Sequence, residues 1–212
     1  MRAIIEEILN MPYYGNLAAT NGKVHNDAKH EDAVENVLRS HNLMPSDSHS
    51  SITKKCRDNW KSNHDLCDMR EGTYISQPCG THNSPDFIVK DFGGKVYFLE
   101  CKSVKKSGTP MYNSGIPTAE YIYILTSKKH DETTVYLGED VVNVKVEKAL
   151  EKHIKEARRR DEELNKILSD LGNSHGISYY TRPMIQHKGS SKDYFTNPRR
   201  GLLEQRVLEI CK

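Results

Sequence analysis

Asp86, Glu100 and Lys102 are the residues whose types and spacing most directly offer chemistry. They lie in Ser84-Pro85-Asp86-Phe87-Ile88-Val89-Lys90-Asp91-Phe92-Gly93-Gly94-Lys95-Val96-Tyr97-Phe98-Leu99-Glu100-Cys101-Lys102, which reads as two short strands about a turn. Residues 87–89 and 96–99 are β-rich runs, and Gly93-Gly94 offers the positive φ angles that a tight hairpin needs. Side chains alternate faces along a strand, so Glu100 and Lys102 project to the same side. Two carboxylates and a lysine gathered on neighbouring strands make a divalent-metal site with a cation beside it.

Such a site suits phosphodiester hydrolysis. A magnesium ion lowers the pKa of a bound water, polarises a phosphoryl oxygen and neutralises the departing alkoxide. It takes hard oxygen ligands and keeps several waters, so Asp86, Glu100 and the Cys101 carbonyl form an adequate set. Lys102 would orient the attacking water, abstract its proton or stabilise charge at phosphorus; the sequence leaves its role open. The spacing alone is loose. A metal-dependent nuclease site and a solvated hairpin ion pair both fit it.

These residues resemble a known signature. Pro85-Asp86, then thirteen intervening residues and Glu100-Cys101-Lys102, is similar to the motif of PD-(D/E)xK nucleases, and the chain length resembles that of type II restriction endonucleases. Pro110-Met111-Tyr112-Asn113, Ile116-Pro117 and Tyr121-Ile122-Tyr123-Ile124 also resemble the segment after the catalytic lysine in some of these enzymes. The resemblance implies Mg2+-dependent cleavage of double-stranded DNA, by a homodimer at a short palindrome. Asp86 and Glu100 would then be metal ligands and Lys102 the catalytic lysine. Many members add a helix glutamate, a role that Glu31 matches better than Glu35.

The elements that must position these groups follow from periodicity and punctuation. Residues 2–10 read as an amphipathic helix ended by Pro12 and Gly15. A second helix is expected over 28–41, with Val34, Val37 and Leu38 as its stripe and Asp27 as a possible N-cap. On it Glu31 lies about 60° from the stripe centre, by ~100° per residue, whereas Glu35 lies further round and is expected to be solvated. Strands are expected over 121–126 and 133–137, a long helix over 143–171 stopped by Gly172-Asn173, a last strand over 177–181 and a final helix over 201–211. Together they give one α/β (α+β) domain over residues 1–212, a central mixed β-sheet flanked by helices. Within it, 42–80 is a polar segment that reads as an insertion or a DNA-contacting piece, with a weak helix at 58–69. Residues 182–200 read as a basic loop.

Two stretches are candidates for DNA contact. Lys105, Lys106, Tyr112 and Asn113 follow directly from the catalytic strand. Arg182, Gln186, Lys188, Lys192, Arg199 and Arg200 lie in the second loop. Phosphate contacts need Lys and Arg, and base edges are read by Asn, Gln and Arg. Charges at 151–163 alternate in sign and favour ion pairs along a helix face over a DNA stripe.

Composition sets the outer limits. The chain has 212 residues, a net charge of +2 and 36% hydrophobic residues, with a mean hydropathy of −0.73. Bulk charge therefore does not announce nucleic acid, and no apolar run reaches the length of a membrane span or a signal peptide's core. Five cysteines without a CxxC pair point to reduced thiols in a cytoplasmic protein. His64, Cys67, Cys79 and His82 lack the close paired spacings of a zinc site. The ten histidines form no HExxH-type motif and are expected mostly at the surface. A structure-selective repair or junction nuclease, a non-catalytic DNA-binding protein and an interaction domain unrelated to nucleic acid are the competing readings.

Overall fold

The computed structural model describes residues 1–15, 29–46, 69–79, 84–106, 108–113, 115–172, 176–187 and 193–212. A six-stranded mixed sheet forms its centre, in the order β1-β2-β3-β4-β6-β7. The strands are β1 (Met44–Pro45), β2 (Thr73–Ser76), β3 (Phe87–Lys90), β4 (Val96–Val104), β6 (Ile122–Ser127) and β7 (Glu132–Leu137). β4 runs antiparallel to β3 and parallel to β6, so the expected hairpin lies in the middle of the sheet. Its turn is closed by Asp91, whose side chain accepts from the N–H groups of Gly93 and Lys95. Gly94, at φ +81, is the turn glycine that uses the left-handed region.

The alternation of β4 sorts its side chains to two cores. Tyr97, Leu99 and Cys101 face one side, where α1 (Arg2–Leu9), α2 (His30–Ser40) and α4 (Arg200–Ile210) deliver Ile4, Ile5, Ile8, Val34, Leu38 and Val207. Phe98 faces the other side, with Ile88, Tyr123, Leu125 and Tyr136 from the sheet, Tyr121 just before β6, and Met69, Tyr112, Tyr194 and Phe195 from other segments. Each fully buried side chain of this size contributes about 1.5–3 kcal/mol relative to exposure. The second core is aromatic: Tyr123 stacks on Tyr136 at 5.3 Å, and Tyr136 on Tyr194 at 4.2 Å. At the end of β7, Gly138 passes so close to Thr118 that an added Cβ would lie 1.7 Å from its carbonyl oxygen.

Several expectations are corrected. The weakly patterned 42–80 segment contributes two sheet strands, β1 and β2, and the buried Met69; most of the expected 58–69 helix lies outside the described residues. α2 starts at His30 with Lys29 as its N-cap, whose N–H donates to Asp32; Asp27 lies outside the described residues. Glu35 is not solvated, because the Tyr74 hydroxyl and the Arg39 guanidinium both donate to it at 2.7 Å. No strand forms over 177–181. That segment runs along α3 (Val144–Asp170), where the Asn165 amide pairs with both backbone groups of Tyr179, and the Asp161 carboxylate accepts from Thr181. The 182–200 loop contains a strand, β8 (Ile185–Gln186), which pairs with β5 (Met111–Tyr112) in a separate two-stranded sheet. Cys79, Cys101 and Cys211 are buried and outside any disulfide, whereas His64, Cys67 and His82 lie outside the described residues. No described helix is long and apolar enough to cross a membrane.

Candidate active site

Asp86 sits one residue before β3, just past the point where the β3–β4 pairing ends at Phe87 and Leu99. Its backbone is held on both sides: its N–H donates to the Leu99 carbonyl at 3.0 Å, and its own carbonyl accepts from Gln77 at 2.7 Å. β4 pairs with β3 only as far as Leu99 and then continues beside β6, so an edge opens at Glu100. The Asp86 carboxylate turns into that opening and accepts from the Cys101 N–H at 2.7 Å. A strand residue points its N–H and C=O to the same edge, so the Cys101 carbonyl is aimed at the opening as well. Its thiol packs away, in the helix-side core.

Glu100 and Lys102 share a face of β4 as their spacing requires, and the Lys102 Nζ donates to Glu100 Oε1 at 2.6 Å. The pair is nearly removed from water, with side-chain exposures of 3% for Glu100 and 10% for Lys102. Asp86 answers to this crowding. Burial, then the Glu100 charge and a smaller contribution from Glu31, push its carboxyl up to about 8, against the pull of the Cys101 N–H and Lys102. Glu31, in the first turn of α2, is thus close enough for its charge to act on Asp86, and it acts on the Cys101 thiol too. Asp86, Glu100 and Lys102 are brought together at the end of the β3–β4 pairing, with Glu31 near enough for its charge to reach Asp86.

A fifth group enters that the sequence did not single out. His30 opens α2, is 5% exposed, and has no hydrogen-bond partner on either ring nitrogen among the described residues. Tyr14 stacks on it at 5.8 Å. Burial, with the nearby Lys102 charge adding, pushes its imidazole down to about 3, so the ring is neutral. The signal was present in the sequence: His30 precedes Val34 and Val37 by four and seven residues, on the buried stripe.

The donor chemistry fits a hard divalent cation. Burial and then the Glu100 charge raise Asp86 into the neutral range, so the two carboxylates would gain from a bound positive charge, and the Cys101 carbonyl faces the same opening. Among the described residues no three His, Cys, Asp or Glu side chains form a self-sufficient cage. A main-chain oxygen and water would have to complete the shell, as is usual for magnesium.

The two candidate DNA stretches converge. β5 pairs with β8, and the Arg182 guanidinium donates to the Asn113 carbonyl at 3.0 Å, so both belong to one surface unit. Lys105 and Lys106 are exposed just past β4, and Arg182, Gln186 and Arg199 are exposed too. Two expected contacts are engaged within the fold instead. Tyr112 is 2% exposed, with its hydroxyl 3.0 Å from that of Tyr136. Arg200 is spent internally on Glu132, Glu204 and the Thr133 carbonyl, and lies over the Phe195 ring. Lys188 and Lys192 lie outside the described residues. The expected helix-face pairs are present in α3, where Arg159 bonds Glu156 and Glu163.

Compared with protein families, with curated proteins and with solved structures, the chain gives no significant match.

Proposed function

We propose that this chain is a magnesium-dependent endonuclease of the restriction type, cutting double-stranded DNA at a short, palindromic site in a reducing cytoplasm. One observation carries the reading: Asp86 and Glu100 both lie where the β3–β4 pairing ends, close enough for the Glu100 charge to act on Asp86, with the Lys102 Nζ 2.6 Å from Glu100. Glu100 and Lys102 are held on a central strand and Asp86 one residue from its neighbour, around one opening, as a hydrolytic site requires.

Asp86, Glu100 and the Cys101 carbonyl would hold the ion, which supplies an acidified water and charge neutralisation at phosphorus. The chain's own residues do the rest. The Cys101 N–H fixes the Asp86 carboxylate at 2.7 Å and so orients its remaining lone pairs toward the opening. Lys102, ion-paired to Glu100, is placed to donate to a phosphate oxygen or to the attacking water. Glu31 adds negative charge on the α2 side, where it favours a second cation or accepts a proton from water. Lys105 and Lys106 lie directly downstream of Lys102, in reach of the backbone of the same duplex.

Incubating the purified protein with Mg2+ and plasmid or phage DNA tests the proposal. Discrete, reproducible fragments are expected, and Asp86→Asn or Glu100→Gln should abolish them while duplex binding survives. Activity retained in both variants would refute the site, and cleavage confined to branched DNA would refute the restriction reading.

A further inference from the structure

Helix α3 carries the pattern of a helix that meets another helix, yet among the described residues much of its apolar stripe is exposed. It is 27 residues long, about 40 Å at ~1.5 Å per residue. Its N-terminus is anchored: the Asn143 side chain accepts from the N–H groups of Lys145 and Val146, and Glu147, its one buried side chain, accepts from the Ala119 N–H. Beyond that point the helix stands on the surface. Val146, Leu150, Ala157, Leu164, Ile167 and Leu171 nonetheless follow a strict four-three alternation, interrupted only by His153 and Arg160. That is the 3.5-residue period of a seam that packs against a second helix. Val146, Leu164, Ile167 and Leu171 are 44%, 38%, 54% and 78% exposed. The strand-like segment pinned to Asn165 and Asp161 covers one flank and adds exposed Ile177 and Tyr180 to the apolar surface.

The charges name the occupant. Residues 144–160 carry seven basic and three acidic side chains, and 161–170 carry one basic and four acidic. A parallel copy would set like halves together, whereas an antiparallel copy sets the basic half of each helix over the acidic half of the other. We infer that α3 is a homodimerisation helix, pairing antiparallel with α3 of a second copy about a two-fold axis near Arg158 and Arg159. In this register Val146 meets Leu171 of the other copy, Leu150 meets Ile167, and Arg160 lies against Ala157, whose small side chain leaves room for it. Two of the arginines near the axis are already compensated within their own helix, Arg159 by Glu156 and Glu163 and Arg160 by Glu156.

This inference does not depend on the nuclease reading, and its test reads mass and cross-links rather than cleavage. Light scattering on the full chain at tens of micromolar should give twice 24.2 kDa. The double variant Leu164→Glu, Ile167→Glu should give the single-chain mass with an unchanged circular dichroism spectrum, because both side chains are exposed in one copy. Mixing separately made Val146→Cys and Leu171→Cys proteins under mild oxidation should yield a 146–171 disulfide, identified by peptide mapping. A monomer at 100 micromolar, a dimer indifferent to the double variant, or a 146–146 link in place of 146–171 would each overturn the proposal.

Discussion

The Lys102 ammonium and the Glu100 carboxylate form a 2.6 Å ion pair on one face of β4, both nearly excluded from solvent. Removing one member of such a pair strands the other charge in a poorly solvated place, at a typical cost of about 3–5 kcal/mol. Lys102→Met is therefore expected to lower stability by that order as well as to lower cleavage on the order of 10²–10³-fold. Adding Glu100→Gln should restore most of the stability and none of the activity. Urea melts of the two single variants and the double variant separate the effects; additive destabilisation would count against the pair.

Asp86 makes the metal-free protein sensitive to pH. Its carboxyl is pushed from 3.8 to about 8, so between these values the folded state holds a proton that the unfolded chain has released. Stability should then fall as pH rises from about 4 to about 8, the reverse of an ordinary salt-bridged carboxylate. A bound cation takes the place of that proton, so the stabilisation given by Mg2+ should grow over pH 6–8. Thermal melts in chelator and in Mg2+ check this, and Asp86→Asn should flatten both trends. A Mg2+ effect independent of pH would contradict it.

His30 predicts the opposite slope at acid pH. Its imidazole is held at about 3 in the folded protein against 6.5 when free, so its neutral burial contributes fully above pH 6.5 and is lost progressively down to pH 3. His30→Phe keeps a ring for Tyr14 to stack on and removes two buried nitrogens that have no partner among the described residues. An unsatisfied buried polar group costs about 1–3 kcal/mol, so the variant should be more stable, increasingly so below pH 6.5. Equal melting temperatures of variant and parent across pH 4–7 would contradict the neutral, buried state.

Lys105 and Arg200 should behave differently although both were expected to touch DNA. Lys105→Ala with Lys106→Ala should weaken duplex binding and reduce the salt dependence by about two phosphate contacts, with the fold intact. Arg200→Ala breaks bonds to Glu132, Glu204 and Thr133, so it should lower the melting temperature and leave the salt slope unchanged. Fluorescence titrations at several salt concentrations, with melts alongside, distinguish the two.

Local rules carried the centre of this protein and failed where distant segments decide. Alternation along 96–102 was enough to put Glu100 and Lys102 on one face, and periodicity located β6, β7, α1, α3 and α4 to within about two residues of their ends. β1 is two residues long and includes Pro45, so it has no pattern to read. Tyr112 lies in a stretch of Gly, Pro, Ser and Asn that reads as a loop, yet Tyr123, Tyr136 and Tyr194 arrive from three later segments to bury it. Glu35 was judged by its angle on α2 alone, and Tyr74, 39 residues further on, reaches it. The 177–181 run has strand-like composition, but the side chains of Asn165 and Asp161 satisfy its backbone first.

The β5–β8 pairing has a practical side. Met111–Tyr112 and Ile185–Gln186 hold together two surface stretches more than sixty residues apart, with the Arg182–Asn113 bond as a second tie. Neither stretch can be transplanted alone into a relative, because each is half of one folded unit and would leave its partner strand unpaired. An exchange of both segments at once is the smallest cassette that should travel with its shape intact.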